Sequence, residues 1–132
     1  VQGIKENLID VIVSDHVPED EESKRLPFAQ AATGAIGIET LLPLALEMYH
    51  NELLPLEKII ETLTINPSRI LKINKGSLKK GADGDICIFD LEAPWKLDAE
   101  KLKSKSKNTA IEDRKLQGKV LMTFLNGELV FN

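Results

Sequence analysis

Cysteine is almost missing from this 132-residue chain. Cys87 stands alone, so no internal disulfide can form, and the sequence suits a reducing, cytoplasmic setting. Histidine is nearly as scarce: His16 and His50 are the only two, and without paired spacing they make no metal site by themselves. A basic excess is lacking as well. Seventeen Lys and Arg against 21 Asp and Glu leave a net charge of -4, which argues against nucleic acid as the main partner, because phosphate binding needs a basic face. Residues 1–6 show no basic stretch followed by an apolar run, so no secretory signal is visible. The most apolar window, "AIGIETLLPLALEM" at 35–48, is broken by Glu39 and Pro43 and is too short to span a bilayer, so no membrane association is expected. The chain starts at Val1 rather than Met, which fits a fragment or a processed product.

What is present reads as globular: 42% hydrophobic and 29% charged residues. A mass of 14.7 kDa suits one domain or a piece of a larger one. Ile9 to Ser14 reads as a short strand, and the consecutive Val11, Ile12 and Val13 predict a parallel strand covered on both faces. A long connection with a charged middle, "EDEESKR", runs from Asp15 to Gly37. Charge runs of this kind are commonly solvated loops, yet connections beyond about 12–15 residues are usually functional or disordered. Helices are predicted over Glu39 to Asn51, from Pro55 through "PLEKIIETLTI", and in "NPSRIL", where Asn66 can cap and Pro67 can open the helix. After Ile73 the grammar changes. A strand is expected from Asp85 to Asp90, a second in "WKLD", and a surface loop in "KLKSKSKN". "KVLMTFLNGELVF" is expected to be a hairpin, because Asn126-Gly127 supplies the two φ > 0 residues of a type I′ turn.

Asp15 stands at the C-terminal tip of the first predicted strand, where barrels of alternating strands and helices carry their catalytic groups. A carboxylate there could ligate a metal or accept a proton. It could also be a turn residue, since aspartate favours turns after strands. His16 reads as a hydrogen-bonded structural group and His50 as an ordinary helix-end residue.

Six stretches change the balance: "SDHVP" at 14–18, "PFAQAATGAIGIETLLPLAL" at 27–46, "TINPSRIL" at 64–71, "GSLKKGADGDICIFD" at 76–90, "SKSKNT" at 104–109 and "LQGKVLMTFLNGELVF" at 116–131. In this order and spacing the chain resembles the C-terminal portion of a dihydroorotase, within the amidohydrolase superfamily. The resemblance implies an α/β fragment. Residues 1–73 would be the last segment of a (β/α)8 TIM-type barrel, holding strand eight and its following helices. Residues 74–132 would be the C-terminal share of a small β-sandwich. It also implies one or two zinc ions, with the remaining ligands upstream of this chain. The implied reaction interconverts dihydroorotate and N-carbamoyl-aspartate in pyrimidine biosynthesis. Asp15 matches the aspartate that contacts the metal and shuttles the proton, and Thr33 and Gly34 match the pair that lines the substrate through backbone groups. A homodimer, or a complex with aspartate transcarbamoylase, is implied as the assembly.

Two departures stand out. Glu19 occupies the position where the family usually has a histidine that helps hold the substrate carboxylate, and two facing carboxylates repel. Lys24 or Arg25 in the same loop is the expected compensating cation. Ala32-Thr33 replaces a proline and a bulkier residue, a milder change where the contact is made by backbone. The fragment alone is expected to be inactive. The alternatives are an inactive scaffold for aspartate transcarbamoylase and a hydrolase of another cyclic amide.

Overall fold

The structure, a computed structural model, describes all residues 1–132. Apolar residues recur at helical spacing in α3 (Leu41–His50), α4 (Leu56–Leu63) and α5 (Ile65–Leu71), whereas the single turns α1 (Gln2–Lys5) and α2 (Glu21–Lys24) have no such pattern, α2 being started by its Asp20 cap. Pro43 sits in the first turn of α3, where its missing N–H has no intrahelical partner to lose. Pro55 is the N-cap of α4 rather than its first residue. α5 is capped by Thr64, so Asn66 is not the cap. Its side-chain amide instead donates to the Asp10 carbonyl at 3.0 Å and ties the helix to the segment before Asp15. α3 and α4 close over a small core of Ile4, Ala45, Leu54 and Ile59, with Ile12, Met48, Tyr49 and Leu63 packed against it.

Residues 9–14 do not form the strand expected of them. They run without ladder pairing, and the nearest sheet-like contact is one parallel bridge between His16 and Ala35. The physical reason is that a strand is a property of a pair, and no segment of this chain forms a ladder with residues 9–14. Ile12 N–H reaches the Thr62 carbonyl at 3.2 Å, while Val13 is 70% exposed instead of covered.

The second half is a three-stranded antiparallel sheet in the order β1-β2-β3, comprising β1 (Ile86–Lys96), β2 (Lys115–Leu125) and β3 (Glu128–Phe131). The two strands expected at 85–90 and in "WKLD" are one strand, interrupted between Asp90 and Pro94. There the Asp90 carboxylate accepts the N–H groups of Glu92 (2.9 Å) and Ala93 (3.1 Å). Pro94 is tolerated because β1 is an edge strand and the ladder is already broken. Asn126 (φ 52°) and Gly127 (φ 84°) make the β2–β3 turn as expected. The sheet packs on α3 through Gly118 (φ 96°), where an added Cβ would stand 2.5 Å from Leu46 Cδ1.

The turn is anchored from outside the hairpin. Asp85 accepts the Asn126 N–H at 2.8 Å and pairs with Lys75, which also pairs with Asp83. The Asn126 N–H first, then the Lys75 ammonium, hold the Asp85 carboxyl below its usual value. No helix is long and apolar enough to cross a membrane.

The accessible surface is 9331 Å², against about 6,900 Å² for a complete fold of this mass. The excess includes Leu8, Val13, Phe28 and Leu78, large apolar side chains with no cover. Such a surface needs packing partners beyond these residues.

Two stability outcomes follow from the sheet. Gly127→Ala meets no atom within 4 Å but must keep a positive φ, so it should cost about 1 kcal/mol. Gly118→Ala carries the same strain plus the Leu46 clash and should cost clearly more; denaturant unfolding of the complete protein measures both. For Asp85, a folded pKa below the unfolded value of about 3.9 means its stabilisation is present above that pH and is lost as pH falls through the folded value. Asp85→Asn should therefore reduce the stability difference between pH 6 and pH 3 relative to the unmodified protein.

Candidate functional site

The extended segment ends in Ser14, Asp15 and His16, and the backbone turns sharply there. Asp15 has φ 43°, in the left-handed region that aspartate enters more readily than most side chains. With Gly34 it lines a cavity of about 430 Å³ whose other walls include Ile12, Met48 and Ile111. Its carboxylate makes no hydrogen bond or ion pair within the chain. A strained backbone beside a cavity, carrying an exposed and unengaged carboxylate, is a recurrent mark of functional sites.

His16 braces this tip, as expected of a structural histidine. Its Nδ1 accepts the N–H of Gly37 at 3.1 Å and of Ile38 at 3.4 Å. Gly37 has to be glycine, because a Cβ there would lie 2.5 Å from the Ser14 carbonyl oxygen. Val17 N–H completes the junction on the Ala35 carbonyl at 2.9 Å.

Gly34 has φ 112°, and an added Cβ would stand 2.5 Å from Val17 Cγ1. The close approach that demands glycine is thus to Val17. Thr33 is exposed and does not line the Asp15 cavity, so the three expected site residues are brought to one loop pair but not to one wall. The N–H groups of Thr33 and Gly34 have no acceptor within the chain.

The carbonyls of this loop, in contrast, are held. Lys24 Nζ donates to Ala32 O at 2.8 Å and to Gly34 O at 2.9 Å. Asn108 Nδ2 donates to Val17 O at 3.2 Å and Gly34 O at 3.4 Å, while its Oδ1 accepts the Glu19 N–H at 3.2 Å. The Asn108 carbonyl also accepts the Ile36 N–H at 3.2 Å. The tract 101–108 is therefore more than the surface loop its composition suggests. Glu39 accepts the N–H groups of Lys103 and Ser104, each at 3.0 Å, and Lys107 Nζ donates to Leu102 O at 2.8 Å. The one sequence signal for this docking was Asn108 itself, since an amide both donates and accepts and can join two backbones.

Glu19 is half-buried, and its carboxylate lies 3.5 Å from Ser23 Oγ, whose one proton goes to the Asp20 carbonyl at 2.9 Å. Of the expected compensating cations, Lys24 is committed to the two carbonyls, while Arg25 makes only an exposed ion pair with Glu21. For a metal, this chain offers a single donor at the site, Asp15. No three His, Cys, Asp or Glu side chains come together, and a zinc centre takes about four donors, of which Asp15 could be one. A larger groove of about 760 Å³ runs between α3 and the sheet, past Ile38, Trp95 and Phe131. Its walls also carry Lys96, Asp98, Lys101 and Lys119, but neither Asp15 nor Gly34, so the site is placed at the smaller cavity that holds both.

Asn108→Ala removes three side-chain hydrogen bonds from a half-buried junction and should destabilise the complete protein by about 2–3 kcal/mol. Lys105→Ala in the same tract should stay within about 0.5 kcal/mol. Denaturant midpoints of the two variants check the contrast.

The profile described as "Amidohydrolase family" matches residues 2–130. The dihydroorotase of Ehrlichia chaffeensis is 43% identical over 131 residues, covering 99% of this chain and 29% of that protein. The dihydroorotase of Aquifex aeolicus is 41% identical over 131 residues, covering 99% and 31%. Among solved structures, the L-hydantoinase (dihydropyrimidinase) of Arthrobacter aurescens superposes with TM-score 0.86 at 32% identity, covering 98% of this chain and 30% of that one. The dihydropyrimidinase of Brevibacillus agri reaches TM-score 0.92 at 20% identity, with 98% and 30% covered. The chain thus spans less than a third of the length of the curated relatives it matches. Over nearly all of that span, sequence and backbone agree: the chain belongs to the amidohydrolase family.

Proposed function

We propose that this chain is the C-terminal part of a cyclic amidohydrolase of the dihydroorotase type, which opens dihydroorotate to N-carbamoyl-aspartate and closes it again. The observation that carries the proposal is Asp15: a carboxylate on a left-handed backbone beside a cavity, with no partner of its own. In ring opening, the oxygen of a water adds to the amide carbonyl carbon, the carbon–nitrogen bond breaks, and the water's proton must reach the departing nitrogen. Asp15 is the group that takes that proton and returns it. The unpartnered Thr33 and Gly34 N–H groups are donors for substrate oxygens.

In the same reading, residues 9–14 pair as the last strand of a (β/α)8 barrel once neighbouring strands are present. Val13, exposed here, is then covered. Residues 74–132 are the C-terminal share of a β-sandwich. One or two zinc ions are the cofactor, with Asp15 one donor and the others outside this chain. Homodimerisation, or association with aspartate transcarbamoylase in the cytoplasm, is the proposed assembly.

A second reading, hydrolysis of a cyclic amide without a carboxylate, is favoured by one observation. Glu19 adds negative charge to the loop that follows Asp15, while Lys24 of the same loop is already engaged by two carbonyls.

The test is cyclisation of N-carbamoyl-aspartate by the complete protein supplied with zinc. Turnover is expected, and Asp15→Asn should lower kcat by roughly 10²–10⁴-fold. Activity only in Glu19→His would mean that the substrate clamp is lost. Opening of a hydantoin ring in place of dihydroorotate would select the second reading. No turnover of either substrate, with or without the histidine, would leave the scaffold role.

A further inference from the structure

We infer that Lys24 is a positioning residue for the substrate loop, fixing the direction of the Thr33 and Gly34 N–H groups without touching substrate; this rests on the proposed role of that loop. The ammonium grips the carbonyls on both sides of Thr33, at 2.8 Å (Ala32) and 2.9 Å (Gly34). Every peptide in the chain is trans, so the N–H of each unit points opposite to its C=O. Holding the Ala32 carbonyl towards Lys24 therefore aims the Thr33 N–H away from it. The Gly34 N–H belongs to the peptide between the two held units and has little freedom left.

The platform under Lys24 is itself fixed. Asp20 caps α2 by accepting the Ser23 N–H at 2.7 Å, and the Ser23 carbonyl accepts the Ala32 N–H at 3.1 Å. Residue 32 is thus tied to α2 by both its N–H and its C=O. Without the ammonium, Gly34 would be the first residue to relax, having the widest backbone freedom. Asn108 would then hold Gly34 O alone, through its longer 3.4 Å bond.

The experiment replaces Lys24 in the complete, zinc-supplied protein by Met, which keeps the length of the side chain but loses the donors, and by Arg, which restores donors. Lys24→Met should raise KM for dihydroorotate about tenfold with kcat within about twofold, and Lys24→Arg should recover most of that loss. Amide hydrogen exchange should speed up across residues 26–37 in Lys24→Met and stay unchanged in the sheet. An unchanged KM with unchanged exchange overturns the inference, as does a lowered unfolding midpoint with KM intact. If Lys24→Met does not fold, Lys24→Gln carries the same KM and exchange test. Asp15→Asn, assayed alongside, separates the two failures. Wild-type turnover in Asp15→Asn sinks the proposed site itself, whereas an inactive Asp15→Asn beside a normal Lys24→Met sinks only the role of Lys24. The exchange readout needs no substrate, so it decides the point even if dihydroorotate is not turned over.

Discussion

The arrangement depends on one side chain, the Asn108 amide. Its oxygen takes an N–H from the loop after Asp15, and its nitrogen gives to carbonyls on both site loops. Few side chains can satisfy a backbone donor and two backbone acceptors at once. The loop that carries Asn108 is moored at Glu39, the second residue before α3, so helix, site loops and sheet meet at a single junction. Each bond is modest alone. Together they turn segments without regular secondary structure into a defined surface.

Around that junction the glycines mark where backbones come too close for a side chain. Gly37 lets residue 37 pass against the Ser14 carbonyl, and Gly34 makes room for Val17. Asp15 does the reverse, holding a positive φ with a side chain in place. The strain there is maintained by neighbours that are themselves fixed, His16 on one side and Val17 on the other. A tip of this kind fixes the backbone that carries the carboxylate and leaves the carboxylate itself unbonded.

Local features of the fold were legible in the sequence. The hairpin at Asn126-Gly127 could be read because a turn depends on its own residues, and α3 and α4 because apolar periodicity is intrinsic to a helix. Residues 9–14 misled because pairing requires a neighbour, and apolar composition shows only that one is wanted. The tract 101–108 misled in the opposite sense: its lysines and serines look solvated, yet its backbone N–H groups and Asn108 are spent on distant partners. Of the expected site residues, Asp15 and Gly34 line one cavity. Lys24 was noticed as a charge, but its role as a grip on two carbonyls is a matter of geometry that spacing does not carry.

The bond from Asn108 to Val17 spans 91 positions of sequence. At synthesis speeds of about 5–20 residues per second, that separation corresponds to roughly 5–20 s. For that interval the growing chain displays the Asp15 loop with its latch still unmade inside the ribosome. Maturation of the pocket therefore waits for Asn108, and a chain released before that residue would carry Asp15 and Gly34 without their latch.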